Sequence, residues 1–187
     1  MSFAPDWPLE TERLTLRPWA ADDLDALFRI HSDEENARWL YNDARSLDET
    51  KALLDRKVAG AELRSEGEWL SAAVVLRETG ELVGDTSLHW VSAEHRGGEI
   101  GFVFDRAHHG RGYATESAQP LLAFAFETVG LHRVIGRCER RNAGSARVLE
   151  KLGMRCEAHF VENELVKGEW QSELVYALLD REWRAAR

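Results

Sequence analysis

The residues with the most chemical content lie in one run, His108-His109-Gly110-Arg111-Gly112-Tyr113-Ala114-Thr115-Glu116. Two glycines one residue apart permit backbone conformations that other residues resist. Beyond them Leu121, Leu122, Ala125 and Phe126 fall at helical spacing. A glycine turn that opens a helix gathers several unpaired backbone N–H groups at the positive end of the helix dipole. That is a cradle for an anion, phosphate above all. The run before it, Ile100-Gly101-Phe102-Val103-Phe104, is apolar and aromatic, so the cradle joins a strand to a helix.

Two common phosphate motifs are ruled out. A P-loop needs GxxxxGK followed by Ser or Thr, which does not occur. A dinucleotide fingerprint needs a third glycine and an early parallel βαβ unit; Gly110-Arg111-Gly112 lacks the glycine and comes late, after a hairpin. Among the seven histidines no HExxH spacing is found, and no metal is expected. Cys138 and Cys156 lie in separate apolar segments without CxxC spacing, which suits reduced core thiols rather than a disulfide or zinc site.

The elements that must position the cradle can be read in order. Arg13–Arg17 alternates and stops at Pro18, a first strand. Leu24, Leu27, Phe28 and His31 form one face of a helix, with His31 expected to be packed rather than catalytic. Residues 33–43 show no clean period and suit a loop or short helix. Ser46-Leu47-Asp48-Glu49 is a capping box. The helix it opens should bury Leu47, Leu54, Val58 and Ala61, keep the Lys51 and Lys57 ammonium groups in water, and end near residues 65–67. Trp69 to Leu76 and Leu82 to Trp90 flank a glycine turn, an antiparallel hairpin.

After Glu94 to Gly98, a polar turn, the strand Glu99 to Phe104 feeds the cradle. The cradle's helix should reach Gly130, kinked at Pro120, which lacks an N–H and crowds the Glu116 carbonyl. A strand over 132–139, a helix over 143–152 and two strands over 154–161 and 171–179 complete the order βααβββαβαββ. This is an α/β fold with a mixed, mostly antiparallel sheet of about seven strands and about four helices. No repeat or low-complexity linker interrupts it, and 187 residues suit a single domain, 1–187.

Composition narrows the partners. With 44% hydrophobic and 30% charged residues the chain reads as a soluble globular protein, and no apolar run approaches a membrane helix. The first residues lack a signal peptide's basic and apolar regions, so the expected location is cytoplasmic. A net charge of −9 argues against nucleic acid, whose phosphates demand a basic face. It suits a cationic substrate.

HHGRGYATE also matches the pyrophosphate loop of the GNAT acetyltransferases, [QR]xxGx[GA], with His109, Gly112 and Ala114 in the defined places. Glu99-Ile100-Gly101 stands before it, and Asn142-Ala143-Gly144-Ser145-Ala146-Arg147-Val148-Leu149-Glu150-Lys151-Leu152-Gly153 after it. Three motifs in order, within a likeness that runs from the Arg13–Trp19 stretch to the closing strand, resemble the branch that includes the ribosomal-protein N-terminal acetyltransferases. Three positions depart from the pattern: His109 replaces Gln or Arg, Pro120 interrupts the cofactor helix, and Ser172 stands where an aspartate is common.

The resemblance implies a GNAT fold and acetyl-CoA as cosubstrate. Its pyrophosphate would lie on the backbone of His109, Gly110, Arg111, Gly112, Tyr113, Ala114 and Thr115. Its pantetheine arm, with two amides, would run beside Phe102, Val103 and Phe104 like an added strand. Glu99 is the implied general base, acting through water, although a strand-end glutamate is often only solvated. The late helix carries Val148 where many relatives have an acidic tyrosine, so Ser145 is left as the acid. Asn142 serves as helix N-cap and pantetheine ligand together; a favoured cap residue and a first-turn serine also have purely structural readings. Arg147 and Lys151 can meet a phosphate or simply face water. Trp39, Trp90 and Trp170 fall where loops should border a substrate groove, though buried aromatics are the common alternative.

The implied reaction is acetyl transfer to a primary amine by direct attack in a ternary complex. The acceptor is a protein N-terminus or a small amine such as an aminoglycoside or polyamine. Transfer of another acyl group such as succinyl, and a non-catalytic CoA-binding sensor or interaction module, are the alternatives. A homodimer is the family expectation.

Overall fold

A computed structural model describes residues 2–187. Its strands are β1 (Leu9–Glu10), β2 (Leu14–Arg17), β3 (Trp69–Leu76), β4 (Leu82–Ser92), β5 (Gly97–Phe104), β6 (Arg133–Glu139), β7 (Arg155–Val166) and β8 (Glu169–Leu179). Its helices are α1 (Leu24–His31), α2 (Glu34–Ala37), α3 (Leu47–Ala59), α4 (Tyr113–Ala123), α5 (Ala143–Lys151) and α6 (Asp180–Ala185). One sheet holds all eight strands in the order β1-β2-β3-β4-β5-β6-β8-β7. Every neighbour is antiparallel except β5 and β6.

The mixed, mostly antiparallel sheet agrees with the sequence reading, with differences at the margins. The two-residue β1, the four-residue α2 and the closing α6 are too short to leave a periodic signal. Strands β7 and β8 are longer than expected. Their polar middle residues are strand, and the chain turns only at Lys167 and Gly168, with φ of 53° and 80°. One face of the sheet carries the main core, where Leu70, Leu88, Ile100, Leu121, Phe126 and Leu149 are at most 2% exposed. The other face carries a smaller core of Trp19, Leu27, Ile30, Leu54 and Ala73 beneath α1 and α3.

Helix α3 begins as its capping box requires: Ser46 Oγ accepts from the Glu49 N–H, and Glu49 accepts from the Ser46 N–H at 2.8 Å. Its buried stripe is different. Leu47 and Val58 are 42% and 41% exposed, while Thr50 and Leu54 are buried, and the helix stops at Ala59. Lys57 is the reason. Its ammonium turns inward, 2.7 Å from Asp85 Oδ2 and 3.1 Å from Ser71 Oγ, instead of reaching water. Asp85 is buried. Burial raises its pKa, but the Lys57 charge beside it outweighs that and holds it below the ordinary value. The inward face of α3 is therefore partly polar, which blurs its hydrophobic period.

Pro120 lies inside α4 without ending it. The helix continues to Ala123 and then widens into a π turn, Phe124–Thr128. Gly130, at φ 75°, closes it as expected. Among the described residues no helix is long and apolar enough to cross a membrane. Cys138 is buried, with its thiol pushed up to about 11 chiefly by burial. Cys156 is exposed on β7, contrary to the expectation of a core thiol.

Lys57→Met removes the partner of a buried carboxylate and should lower unfolding free energy by about 3 kcal/mol. Urea titration at pH 7 measures it; a loss under about 1 kcal/mol would mean that His31 alone compensates Asp85.

Candidate functional site

The site is built where the sheet parts. Strands β5 and β6 pair at Gly97 with Arg133, Gly98 with Val134 and Glu99 with Ile135, and there the ladder stops. Beyond it β5 remains paired with β4 as far as Phe104, and β6 remains paired with β8 as far as Glu139. Each half-sheet follows its own partner, and the twist of each carries the two apart. The inner edges of Ile100–Phe104 and Gly136–Glu139 thus present backbone donors and acceptors to a wedge, with Glu99 at its apex. Gly136 has a structural role of its own: an added Cβ would fall 2.4 Å from Leu149, so glycine lets α5 seat on β6.

At the open end of the wedge stands the glycine cradle. Gly110 and Gly112 have φ of 77° and 84°, and Gly112 is the N-cap of α4. Gly110, Arg111 and Gly112 are exposed. The cradle is tied on both sides. His109 donates its Nε2–H to the Phe104 carbonyl at 3.0 Å, which binds the loop back to β5 and leaves backbone as that position's other contribution. From the other side Arg13 donates to the Arg111 carbonyl at 3.0 Å and, through Nε, to Glu116 at 2.7 Å. Glu116 also accepts from Thr11 Oγ1 and the Arg13 N–H. Burial alone would raise its pKa, but these hydrogen bonds outweigh burial and hold it low. Arg13 was not singled out by sequence, and no local motif marks it.

Glu99 has a side chain only 19% exposed, and burial raises its pKa above the usual carboxylate value. Arg137 opposes that shift from 3.5 Å. The same guanidinium lies 3.7 Å from Glu173, a buried carboxylate that burial likewise raises. One arginine between two carboxylates leaves this part of the site short of positive charge.

On the opposite wall Asn142 caps α5, its Oδ1 accepting from the Ser145 N–H at 3.0 Å. Its amide N–H groups have no partner among the described residues. Ser145 is half-buried in the first turn of α5, and Arg147, two residues on, is exposed.

A single groove of about 1310 Å³ collects these parts. Glu99, Phe102, Val103, Phe104, His109, Gly110, Gly112, Tyr113, Ala114, Thr115, Asn142, Ser145, Arg147 and Trp39 all line it. The Phe104 side chain is core and Phe102 packs against core, so their backbone is what faces the wedge. Arg111 lies on the exposed loop outside the lining. Trp90 and Trp170 do not belong to the groove. Trp90 packs into the main core with Phe3, ring centroids 5.6 Å apart, and Trp170 is 62% exposed beside the far hairpin turn. A tryptophan that sequence did not single out, Trp69, lines it as well, stacked on His89 at 4.3 Å. Strand alternation separates the two tryptophans: His89 faces the groove, so its neighbour Trp90 faces the core.

The groove's roof is a clasp. Tyr41 Oη donates to Glu164 at 2.9 Å and Lys167 Nζ donates to the Ala37 carbonyl at 2.6 Å, joining the segment after α2 to the tip of the β7–β8 hairpin. Burial, together with the Glu164 charge, raises the Tyr41 pKa, so the phenol keeps its proton.

A family model described as an acetyltransferase (GNAT) domain matches residues 13–155. The chain belongs to the GNAT acetyltransferase family. It is 32% identical over 176 residues to an uncharacterized N-acetyltransferase of Bacillus subtilis, covering 94% of this chain and 98% of that protein. Its structure resembles a crystal structure of a GNAT-family acetyltransferase from Bacillus anthracis, with a TM-score of 0.84 and 30% identity over 94% of this chain and 99% of the other. The fold is shared as well with a spermidine N-acetyltransferase from Vibrio cholerae solved in complex with CoA and spermine. There the TM-score is 0.78 and the identity 20%, over 93% of this chain and 99% of that one.

The tie from Arg13 makes the cradle's shape testable. Arg13→Met should weaken CoA binding about tenfold, the worth of a charge-assisted hydrogen bond, as read by titration calorimetry. Unchanged affinity would show that the loop holds its form without Arg13.

Proposed function

We propose that the protein, as a single domain, transfers an acetyl group from acetyl-CoA to a primary amine by direct attack in a ternary complex. The observation that carries this reading is the wedge between β5 and β6, with a buried carboxylate at its apex and an anion cradle at its mouth. Unpaired strand edges inside a protein are costly unless something pairs with them. A pantetheine arm carries two amides that suit those edges, and a pyrophosphate suits the cradle, so the residues present fit CoA.

When bound, acetyl-CoA supplies the activated thioester. The N–H groups of Gly110 to Ala114 hold its pyrophosphate, and Arg147 adds charge for a phosphate. The backbone of Phe102 to Phe104 pairs with the arm, and the Asn142 amide donates to one of its carbonyls. Glu99 removes the proton from the incoming ammonium, through water, which frees the amine lone pair. Its raised pKa makes it a stronger base than an ordinary glutamate at the same pH. Ser145 holds the hydroxyl hydrogen nearest in role to an acid for the departing sulfur. The family resemblance and the spermine bound to the Vibrio cholerae protein support an amine acceptor.

A thermal-shift series tests cofactor choice. Acetyl-CoA at 100 times its dissociation constant should add about 2.7 kcal/mol of stability and NAD none; no shift with acetyl-CoA would overturn the reading. Thiol release across primary amines tests the base. Glu99→Gln should lower kcat about 10²-fold or more, and full activity would remove Glu99 from the mechanism. The acid limb of the rate–pH profile should lie above the ordinary glutamate range, because burial raises Glu99. Arg137→Gln should move that limb to still higher pH, since it deletes the cation that favours the carboxylate; a move to lower pH would contradict the assignment.

A further inference from the structure

A small cavity of about 110 Å³ adjoins the apex of the wedge, between the segment after α2 and strands β6, β7 and β8. Glu99, Glu139, Glu164 and Glu173 line it, and among the described residues Arg137 is the one cation of its lining. Two of the four carboxylates are answered by other groups. Glu139 accepts from the Arg141 N–H and Nε at 2.6 and 2.9 Å, and Glu164 accepts from Tyr41. Glu99 and Glu173 are left with Arg137, at 3.5 and 3.7 Å. Both separations exceed the usual hydrogen-bond range, so the guanidinium stands between the two carboxylates without closing on either.

Strand register produces this arrangement. Glu99 pairs with Ile135 on β6, and on β8 Val175 pairs with Arg137 and Glu173 with Glu139. Residues two apart on a strand share a face. Glu99, Arg137 and Glu173 therefore project from the same face of the sheet, with the arginine between the others. Glu173 is 7% exposed. A glutamine would fill the same space without a buried, loosely paired charge, so shape alone does not account for the carboxylate.

The charge has a consequence at the apex. An arginine given wholly to Glu99 would favour its ionised form and make it a weaker base. Glu173 draws the guanidinium the other way and itself repels a negative charge on Glu99. The groups facing Glu173 leave that effect uncancelled: Glu164 on β7 is a further carboxylate, Tyr41 keeps its proton, and Glu139 on β6 is matched by Arg141. Its own neighbours on β8, Gln171 and Ser172, are neutral.

We propose that Glu173 is a positioning residue for the base: it divides Arg137 between two carboxylates, so that Glu99 takes up a proton more readily. The role of Glu99 as base rests on the acetyl-transfer reading; its coupling to Glu173 does not.

The test titrates the Glu99 carboxyl by carbon NMR on glutamate-labelled protein, its signal assigned by loss in Glu99→Gln. Thiol release from acetyl-CoA is followed against pH in parallel, with hexylamine as acceptor. The two carboxylates titrate as a coupled pair, and the higher apparent step is the one read. Glu173→Gln keeps the shape and removes the charge. It should lower that step, and the acid limb with it, by about one pH unit, with KM for acetyl-CoA unchanged. Glu173→Asp retains the charge and should retain most of the raised value. Loss of the fold in Glu173→Gln, a Glu99 titration that stays or rises, a lower kcat with an unmoved limb, or a change in hexylamine KM alone would overturn the proposal. A lowered Glu99 step in Glu173→Gln, where the unaltered protein turns over no primary amine, would uphold the coupling and instead overturn the acetyl-transfer reading.

Discussion

The structure depends on two half-sheets that share only three residue pairs. A continuous sheet would pair β5 with β6 along their length and leave no room for a ligand. Here β5 is committed to β4 and β6 to β8, and the ladder between them ends at Glu99 and Ile135. The opening places unpaired backbone inside the molecule and a carboxylate at the point of divergence. Helix α4, whose N-terminus faces the mouth, and α5, seated on Gly136, are held by the two half-sheets separately. Thr86 of β4 bonds Ser117 of α4 at 2.6 Å, which ties the cradle's helix to β5's side of the wedge.

Electrostatics divides the groove further. At the apex two carboxylates raised by burial share Arg137. Under α1 and α3 the buried Asp85 is held ionised chiefly by Lys57. Between the two, Ser71, Ser87 and Gly101 form a row of small residues in register across β3, β4 and β5.

The cradle, the strand before it and the capped helix after it were legible because each rests on local chemistry: glycine conformations, an N-cap asparagine, alternation along β5. Seven of the eight strands were legible in outline for the same reason, β1 being too short to leave a signal. What escaped depends on contacts distant in sequence. Arg13 reaches Glu116 across 103 residues, and Lys57 reaches Asp85 across 28. Lys57 read as a solvated side chain because nothing near it in sequence signals a buried partner. Trp90 and Trp170 were placed by loop position alone, and a single step along β4 decides that His89 faces the groove and Trp90 the core. His31 was expected to be packed, and it is; its missing partners are visible only in three dimensions.

The central claim is that the parted edges and the cradle form one binding surface for CoA. Backbone amide hydrogen exchange with and without CoA tests it most directly. Protection should appear together over residues 100–104 and 110–114, with little change in the β7–β8 hairpin. Protection confined to one of the two segments, or found only elsewhere, would contradict the account.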